Sequence, residues 1–392
     1  QEQTPQARAL LLPDLSLSAS TDGNYEKTRE AGDFGATGST QFTGNTFALS
    51  LSQPIYRKDL LIGLSQADSR VKQSNAEYAF SLQDLMLRVT ESYFNVLEAI
   101  DDLDFVHSER NANEQQLKQS QQRFEVGLIA ITDVEEARAG FDLANAQVIE
   151  AEIELDNSWE ALREITGLYL DLATLKSLMP DTPLINPDPN DVDAWTGIAL
   201  RQNLQLTAAL LASEIALTEI RRQQAQHLPT LDLVASHGLV QSGGRFGDTD
   251  IVTSSIGLQL NLPIYQGGEV LSRTRESRHL HQQSLDDLER QRRITQRQTR
   301  DAFRGVISGI SRVKALAQAV VSTQSALEAI QAGFQVGTRT SVDVLDAQRD
   351  LFLAKRDYSQ SRYDYILDIL RLKQAAGILN EDDLTEVNSW LQ

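Results

Sequence analysis

The chain has 392 residues, 41% of them apolar and 6% aromatic, with no cysteine and a formal charge of −19 from 36 basic and 55 acidic side chains. The missing cysteine excludes disulfide scaffolds, Cys-ligated zinc and thiol nucleophiles. The acidic balance argues against binding nucleic acid through a basic face or wrapping an anionic membrane surface. No run of about 18 apolar residues occurs, so no helix spans a bilayer. The start, Gln1 to Pro5, lacks a signal-peptide pattern and reads as a mature or trimmed N-terminus.

An internal repeat sets the organisation. Leu11–Ala19 returns at His227–Ala235, Leu49–Tyr56 at Leu258–Tyr265, Phe124–Gly127 at Phe334–Gly337, Asp133–Ala137 at Asp343–Ala347 and Leu162–Gly167 at Leu372–Gly377. Five matches in one order, offset by roughly 210 residues, mean two copies of one unit.

Each copy begins with two strands, within 9–56 and 227–266. Leu15, Leu17 and Ala19, then Phe47, Leu49 and Leu51, alternate with serine and alanine. In copy two Leu231, Leu233 and Ala235 are followed by Ile256, Leu258, Leu260 and Leu262, with Gly257, Gln259 and Asn261 between the last four. A period of two gives one apolar face and one small or polar face. The Gly- and Asp-rich stretches 20–42 and 242–250 are predicted surface loops.

Helical periodicity follows over 57–168, 193–226 and 267–377. In the outward helix Tyr78, Leu82, Leu85, Val89, Val96, Ala99, Leu103 and Val106 follow a 3.5-residue period, with a second stripe at Ala79, Met86, Tyr93 and Ile100. Two seams imply two neighbouring helices, the pattern of a wall closed into a tube; an ordinary bundle helix is the plainer alternative. A helix over 57–123 would reach about 100 Å. After Gly127 a return helix carries Val134, Ala137, Phe141, Ala144, Val148, Ala151, Leu155, Leu162 and Ile165 on one seam, repeated from Val344 to Ala375. The stretch 193–226 fills the wall in copy two, whereas too few residues precede Pro13 for its counterpart. The proline-rich segment 169–192 and the acidic end 378–392 read as a peripheral linker and belt.

Four strands cannot close a barrel, so an apolar-out, polar-in sheet requires several chains, with 8 strands in a dimer or 12 in a trimer. Two soluble hairpins packed on each other are the plainer alternative. The most specific segments are Leu12-Pro13, Leu228–Leu233, Pro263–Gly268, Val336–Thr340, Val342–Ala347 and Leu379–Leu384. On these, and over nearly the whole length, the chain resembles TolC-type outer-membrane efflux proteins of Gram-negative bacteria. The resemblance implies a mixed fold: a homotrimer with a 12-stranded outer-membrane β-barrel, four strands per chain, continued by a periplasmic α-helical coiled-coil tunnel. It implies a passive exit duct of tripartite efflux or type I secretion systems, gated at the helix tips. Implied partners are outer-membrane lipid, a periplasmic adaptor (membrane fusion) protein and an inner-membrane pump of RND, ABC or MFS type; no cofactor or metal is implied. A trimeric structural or adhesive surface protein with a coiled-coil stalk is the alternative, but its strands would lie near one terminus.

The tips, near 124–133 and 334–343, carry the candidate residues. Asp133 with Glu136, and Asp343 with Asp346, are spaced to share a helix face. Singly they suit a helix N-terminus; in a trimer Asp343 and Asp346 would form stacked carboxylate rings of the kind that favour cations. By resemblance these two line the entrance as its selectivity gate, and Arg339 bonds across to Thr132 and Asp133 to hold it closed. A solvated arginine is the plainer reading. Phe334 stands where close relatives carry tyrosine, which removes one latching hydroxyl. Val126, Gly127 and Leu128, with Val336, Gly337 and Thr338, turn the chain at each tip, and the resemblance adds adaptor docking there. Arg290, Arg292, Arg293, Arg297 and Arg300 read as a solvated or ion-paired face, and His279 and His281 point to different faces. No phosphate loop or catalytic set appears, so no catalytic residue is assigned.

Overall fold

The computed structural model describes residues 2–28, 38–169, 175–243 and 247–392. Contacts divide it into two compact units, Gln1–Ala76 with Thr207–Arg290 and Glu77–Leu206 with Gln291–Gln392.

The first unit holds one antiparallel sheet in the order β1 (Asp14–Thr28), β2 (Gly38–Tyr56), β3 (Thr230–Ser242), β4 (Thr249–Asn261). Directly paired residues share a face. Leu17, Leu49 and His237 therefore lie in one row with Ser254, between the row Ala19, Phe47, Leu239, Val252 and the row Leu15, Leu51, Ala235, Ile256. Leu15, Leu17, Ile256, Leu258 and Leu260 are all exposed on the single chain. The opposite face carries Ser16, Ser18, Ser50, Ser236, Ser255, Gln259 and Asn261.

The strands run further than the sequence suggests. Part of the predicted loop 20–42 is ladder, from Thr21↔Asn45 to Thr28↔Gly38, and so are Ser242 and Thr249 of 242–250. There both faces are largely polar, so hydrophobic alternation vanishes while the backbone ladder, which needs no apolar face, continues. Residues 29–37 and 244–246 lie outside the described residues.

Two helices, α1 and α5, meet the start of the outward helix α2 (Lys58–Glu125). The stretch before Pro13, read as too short for a counterpart of 193–226, forms the seven-residue α1 (Gln3–Ala9), whose Thr4 Oγ1 donates to Asp68 Oδ1 at 3.4 Å. The segment predicted as one helix over 193–226 is two, α4 (Val192–Gln202) and α5 (Leu204–Ala225). Buried Gln66 of α2 donates from Nε2 to Ile215 O at 3.1 Å and Glu219 Oε2 at 3.0 Å, fixing α5 against α2. Where β2 passes into α2, Arg57 meets Asp232 of β3 at 2.9 Å, and that hydrogen bond holds the guanidinium pKa above its usual value.

In the second unit α2 returns through α3 (Ile131–Thr166), and α6 (Glu269–Gln335) through α7 (Ser341–Ala376). Val96 and Ala99 of the predicted seam are buried, whereas Tyr78, Leu82 and Leu85 are 66%, 38% and 39% exposed, an apolar stripe the chain itself leaves uncovered. Phe94, Leu97, Val306, Ile310, Tyr363, Tyr365, Ile366 and Leu370 form the main core. The C-terminal segment, read as peripheral, packs into it: α8 (Glu381–Ser389) buries Val387, and Trp390 is buried just beyond. Ser177 and Gln392 exchange backbone hydrogen bonds of 3.1 and 2.9 Å, so linker and C-terminus form a short β-bridge. Of the C-terminal acids, Asp383 accepts from Asn380 N at 2.9 Å in the capping box of α8 and pairs with Lys373 at 2.6 Å.

The break between α4 and α5 has a local cause. Asn203 leaves the helical region at ψ 124°, its Oδ1 accepts from Leu206 N at 2.9 Å, and its Nδ2 donates to Ala375 O at 3.0 Å. One side chain thus starts α5 and satisfies an orphan carbonyl at the end of α7. The close approach requires Gly377, at φ 78°, because a Cβ there would lie 2.3 Å from Gln202 O. Its repeat equivalent Gly167, at φ 65°, has nothing within 4 Å of such an atom. Gly167→Ala should therefore cost only the left-handed backbone penalty, about 1 kcal/mol. Gly377→Ala should cost at least about 2 kcal/mol more through the backbone clash, a difference that denaturant unfolding of the two variants would measure.

Candidate functional site

Both hairpin tips use the same turn. In the first, Gly127 N donates to Phe124 O at 2.8 Å and Leu128 N to Arg123 O at 2.9 Å. In the second, Gly337 N donates to Phe334 O at 3.2 Å and Thr338 N to Gly333 O at 2.9 Å. These paired bonds are a Schellman motif, and the φ of 73° at Gly127 and 80° at Gly337 explains the glycines. The turns push Val126, Leu128 and Val336 outward, 69%, 73% and 76% exposed.

The return helices start differently. At α7, Thr340 Oγ1 accepts from Asp343 N at 3.2 Å, while Asp343 Oδ2 accepts from Thr340 N at 2.8 Å and from Thr340 Oγ1 at 2.9 Å, a reciprocal capping box. At α3 only half of this exists: Asp133 Oδ2 accepts from Ala130 N at 3.3 Å, and because Ala130 has no side-chain oxygen, Asp133 N donates to its carbonyl instead, at 3.2 Å. Both first aspartates thus serve as helix-start acids. The backbone bond from Thr340, then its hydroxyl, holds the Asp343 carboxyl below the usual carboxylate range. Asp346, one turn on, is exposed.

Arg339 pairs with Asp343 of its own hairpin, at 3.9 Å. Its stem folds over Gly333, where a Cβ would stand 2.8 Å from Arg339 Cγ. Thr132 lies exposed at the start of α3. Near the tips, two side-chain contacts among the described residues also join the hairpins. Buried Gln116 of α2 donates from Nε2 to Ser341 Oγ of α7 at 2.7 Å. The Arg123 guanidinium of α2 covers the Phe334 ring of α6, 4.2 Å from its centroid, cation–π geometry that needs no tyrosine hydroxyl. Neither Arg123 nor Gln116 stood out in the sequence, because their partners lie on the other repeat.

Farther along α2 a cavity of about 600 Å³ is lined by Glu98, Asp102, Glu154, Ser158 and Arg356. Burial, then the neighbouring acids Asp364 and Asp102, raises the Glu98 pKa, and burial raises those of Asp102 and Glu109. Sequence reading missed this group, although the i, i+4 spacing of Glu98 and Asp102, with Glu109 one heptad beyond, was available as a signal. Of the arginine run, Arg290 pairs with Asp287, Arg297 with Asp301 and Arg300 with Asp193.

A sheet with one apolar outer face and two long antiparallel helix hairpins per chain defines an outer-membrane channel protein, and the family model described as outer membrane efflux protein matches residues 1–168 and 195–378. The chain belongs to that family and is an outer-membrane exit duct. It is 38% identical to the outer membrane protein TolC of Vibrio cholerae, over 100% of this chain and 88% of that relative. It is 30% identical to the alkaline protease secretion protein AprF of Pseudomonas aeruginosa, over 96% of this chain and 79% of that relative. The crystal structure of the outer membrane protein VceC from Vibrio cholerae shares the fold at a TM-score of 0.76 and 20% identity, over 95% of this chain and 89% of that one.

The two sets of acids should respond oppositely to pH. A lowered folded pKa, as at Asp343, contributes stability above the unfolded value that is lost as pH falls through the folded value. Thr340→Val should therefore raise the Asp343 pKa toward the ordinary range, measured by carboxyl-carbon NMR titration. A raised folded pKa, as at Glu98, gives stability below the unfolded value that is lost as pH rises through the folded one. Glu98→Gln should stabilise the chain at neutral pH and leave it unchanged in acid, measured by thermal unfolding across pH.

Proposed function

We propose that three copies of this chain close a 12-stranded barrel and that the hairpin tips gate the duct at its periplasmic entrance. The single observation carrying the trimer is the sheet itself: β1 and β4 are edge strands with unpaired outer sides, in a sheet whose outward face is apolar. Open edges do not persist in hydrocarbon, so β4 of one copy pairs with β1 of the next until the ring closes. The uncovered stripe Tyr78, Leu82 and Leu85 suits a helix of a neighbouring copy.

In that assembly Asp343 and Asp346 form stacked acidic rings that favour cations. The capping role of Asp343 is compatible with this, since the bonds from Thr340 keep its carboxylate charged. Arg339, exposed and only loosely held by Asp343, is free to reach Thr132 and Asp133 of a neighbouring hairpin as a closed-state latch. The Arg123–Phe334 and Gln116–Ser341 contacts hold the two hairpins of one chain together. The exposed tips, Val126 to Leu128 and Val336 to Thr338, offer two similar apolar docking points for a periplasmic adaptor that connects the duct to an inner-membrane pump.

Planar-bilayer recording separates these roles. Replacing Asp343 and Asp346 together by Ala should weaken cation preference in the reversal potential and relieve block by multivalent cations on the tip side; unchanged selectivity would leave them as helix-start acids only. Arg339→Ser should raise conductance without altering selectivity. Arg123→Gln removes a cation–π contact of about 0.5–1 kcal/mol per chain, so three copies should shift opening by about ten- to a hundred-fold. A water-soluble monomer without conductance would overturn the trimeric duct.

A further inference from the structure

The apolar face of the sheet contains one polar couple. His237 of β3 and Ser254 of β4 are direct partners in the ladder, and His237 Nδ1 lies 2.8 Å from Ser254 Oγ. Their row also holds Leu17 and Leu49. The row nearer the loops, Ala19, Phe47, Leu239 and Val252, is apolar, as is the row beyond, Leu15, Leu51, Ala235 and Ile256. Polar residues resume only one row nearer the loops than Phe47, with Thr21, Asn45, Gln241 and Asp250. The couple is therefore set inside the band that faces lipid, not at its rim. The similar pair Ser236 and Ser255, at 2.8 Å, faces the polar side, where water can serve it. Gln53, also on the apolar face, turns its amide to Leu11 O at 2.8 Å and Pro54 O at 3.0 Å.

His237 has no such internal outlet. Its bond to Ser254 engages Nδ1 and leaves Nε2, on the far side of an exposed ring, without a partner among the described residues. A polar group facing hydrocarbon is strongly unfavourable unless it is paired. Adjacent rows are two residues apart, about 7 Å along the strand, or about 5 Å in depth at barrel tilts near 40°. His237 thus lies about 5 Å below the loop-side apolar row, at the top of the acyl layer and beneath the headgroups. The polar atoms of a diacyl lipid at that depth are the carbonyls linking chain to headgroup, which accept but do not donate. They select the tautomer in which Nδ1 accepts from the serine hydroxyl and Nε2 carries the proton.

We propose that His237, oriented by Ser254, is a lipid-binding site on the outer wall of the barrel, donating from Nε2 to an acyl-linkage carbonyl of a lipid in the loop-side leaflet. The site depends on the membrane setting of the sheet and not on the gating of the tips.

The full chain, labelled with ¹⁵N-histidine and reconstituted in diacyl phosphatidylcholine bilayers with ¹³C at the acyl carbonyls, tests this by solid-state NMR. His237→Leu identifies the signal, and leucine suits the lipid face, so the variant should assemble. The expected result is a His237-dependent transfer from Nε2 to the lipid carbonyl carbon, lost in ether-linked dialkyl phosphatidylcholine with the same headgroup. Ser254→Ala should weaken that transfer by freeing the ring to rotate. Transfer to the lipid phosphorus would assign the contact to the headgroup and overturn the carbonyl site. Contact with water alone, or the same Nε2 signal in both lipids, would overturn a lipid site altogether. Loss of channel activity with the carbonyl contact intact would count against the duct and not against this site.

Discussion

A backbone immersed in hydrocarbon must have every N–H and C=O paired, and the rest of this molecule is arranged around that demand. Four strands pair with one another and leave two edges. The alternation that makes one face apolar also fixes register, because a slip of one residue would turn serine toward lipid and leucine toward the other side. At the base of the sheet, Arg57 ties the start of α2 to Asp232 of β3, so the direction of a very long helix is set by a residue of the sheet. Glycine at 377 and asparagine at 203 then decide where another helix breaks and what it touches.

The tips show how one backbone solution can carry two chemistries. Each turn closes with the same two hydrogen bonds and a left-handed glycine. Ile129 and Ala130 follow in one copy, Arg339 and Thr340 in the other. The second copy therefore has a tightly capped helix start beside an exposed cation, and Gly333 makes room for its stem. Copy one has Arg123 at the position equivalent to Gly333, and that arginine crosses to the Phe334 ring of copy two. Divergence at one pair of equivalent positions accommodates one arginine and supplies the other.

Much of the fold was legible because it rests on periods. The repeat, the heptad seams and the glycine turns could be read from spacing alone, and the acidic pairs could be placed at helix starts. What escaped depends on contacts between distant segments. The kink at Asn203 follows from the approach of α7, and the burial of α8 from apolar Val387 and Trp390 among conspicuous acids. The outer ends of β1 and β2 are polar on both faces, so only the ladder reveals them. At the tips, Phe334 suggested a lost contact by its missing hydroxyl, whereas its ring face has a partner 211 positions earlier in the chain at Arg123.

The return helices of the two copies have the same length, 36 residues each, and the outward helices, 68 and 67 residues, end at the equivalent Glu125 and Gln335, so the extra residue of α2 stands at its start and leaves the register intact. One inserted residue would turn every later side chain by about 100° and take the seam off its neighbour. A whole heptad preserves the seam, yet a heptad added to one hairpin alone would slide Phe334 about 10 Å past Arg123. Length in this architecture is therefore heritable only in steps of seven, taken by both halves of the gene product together.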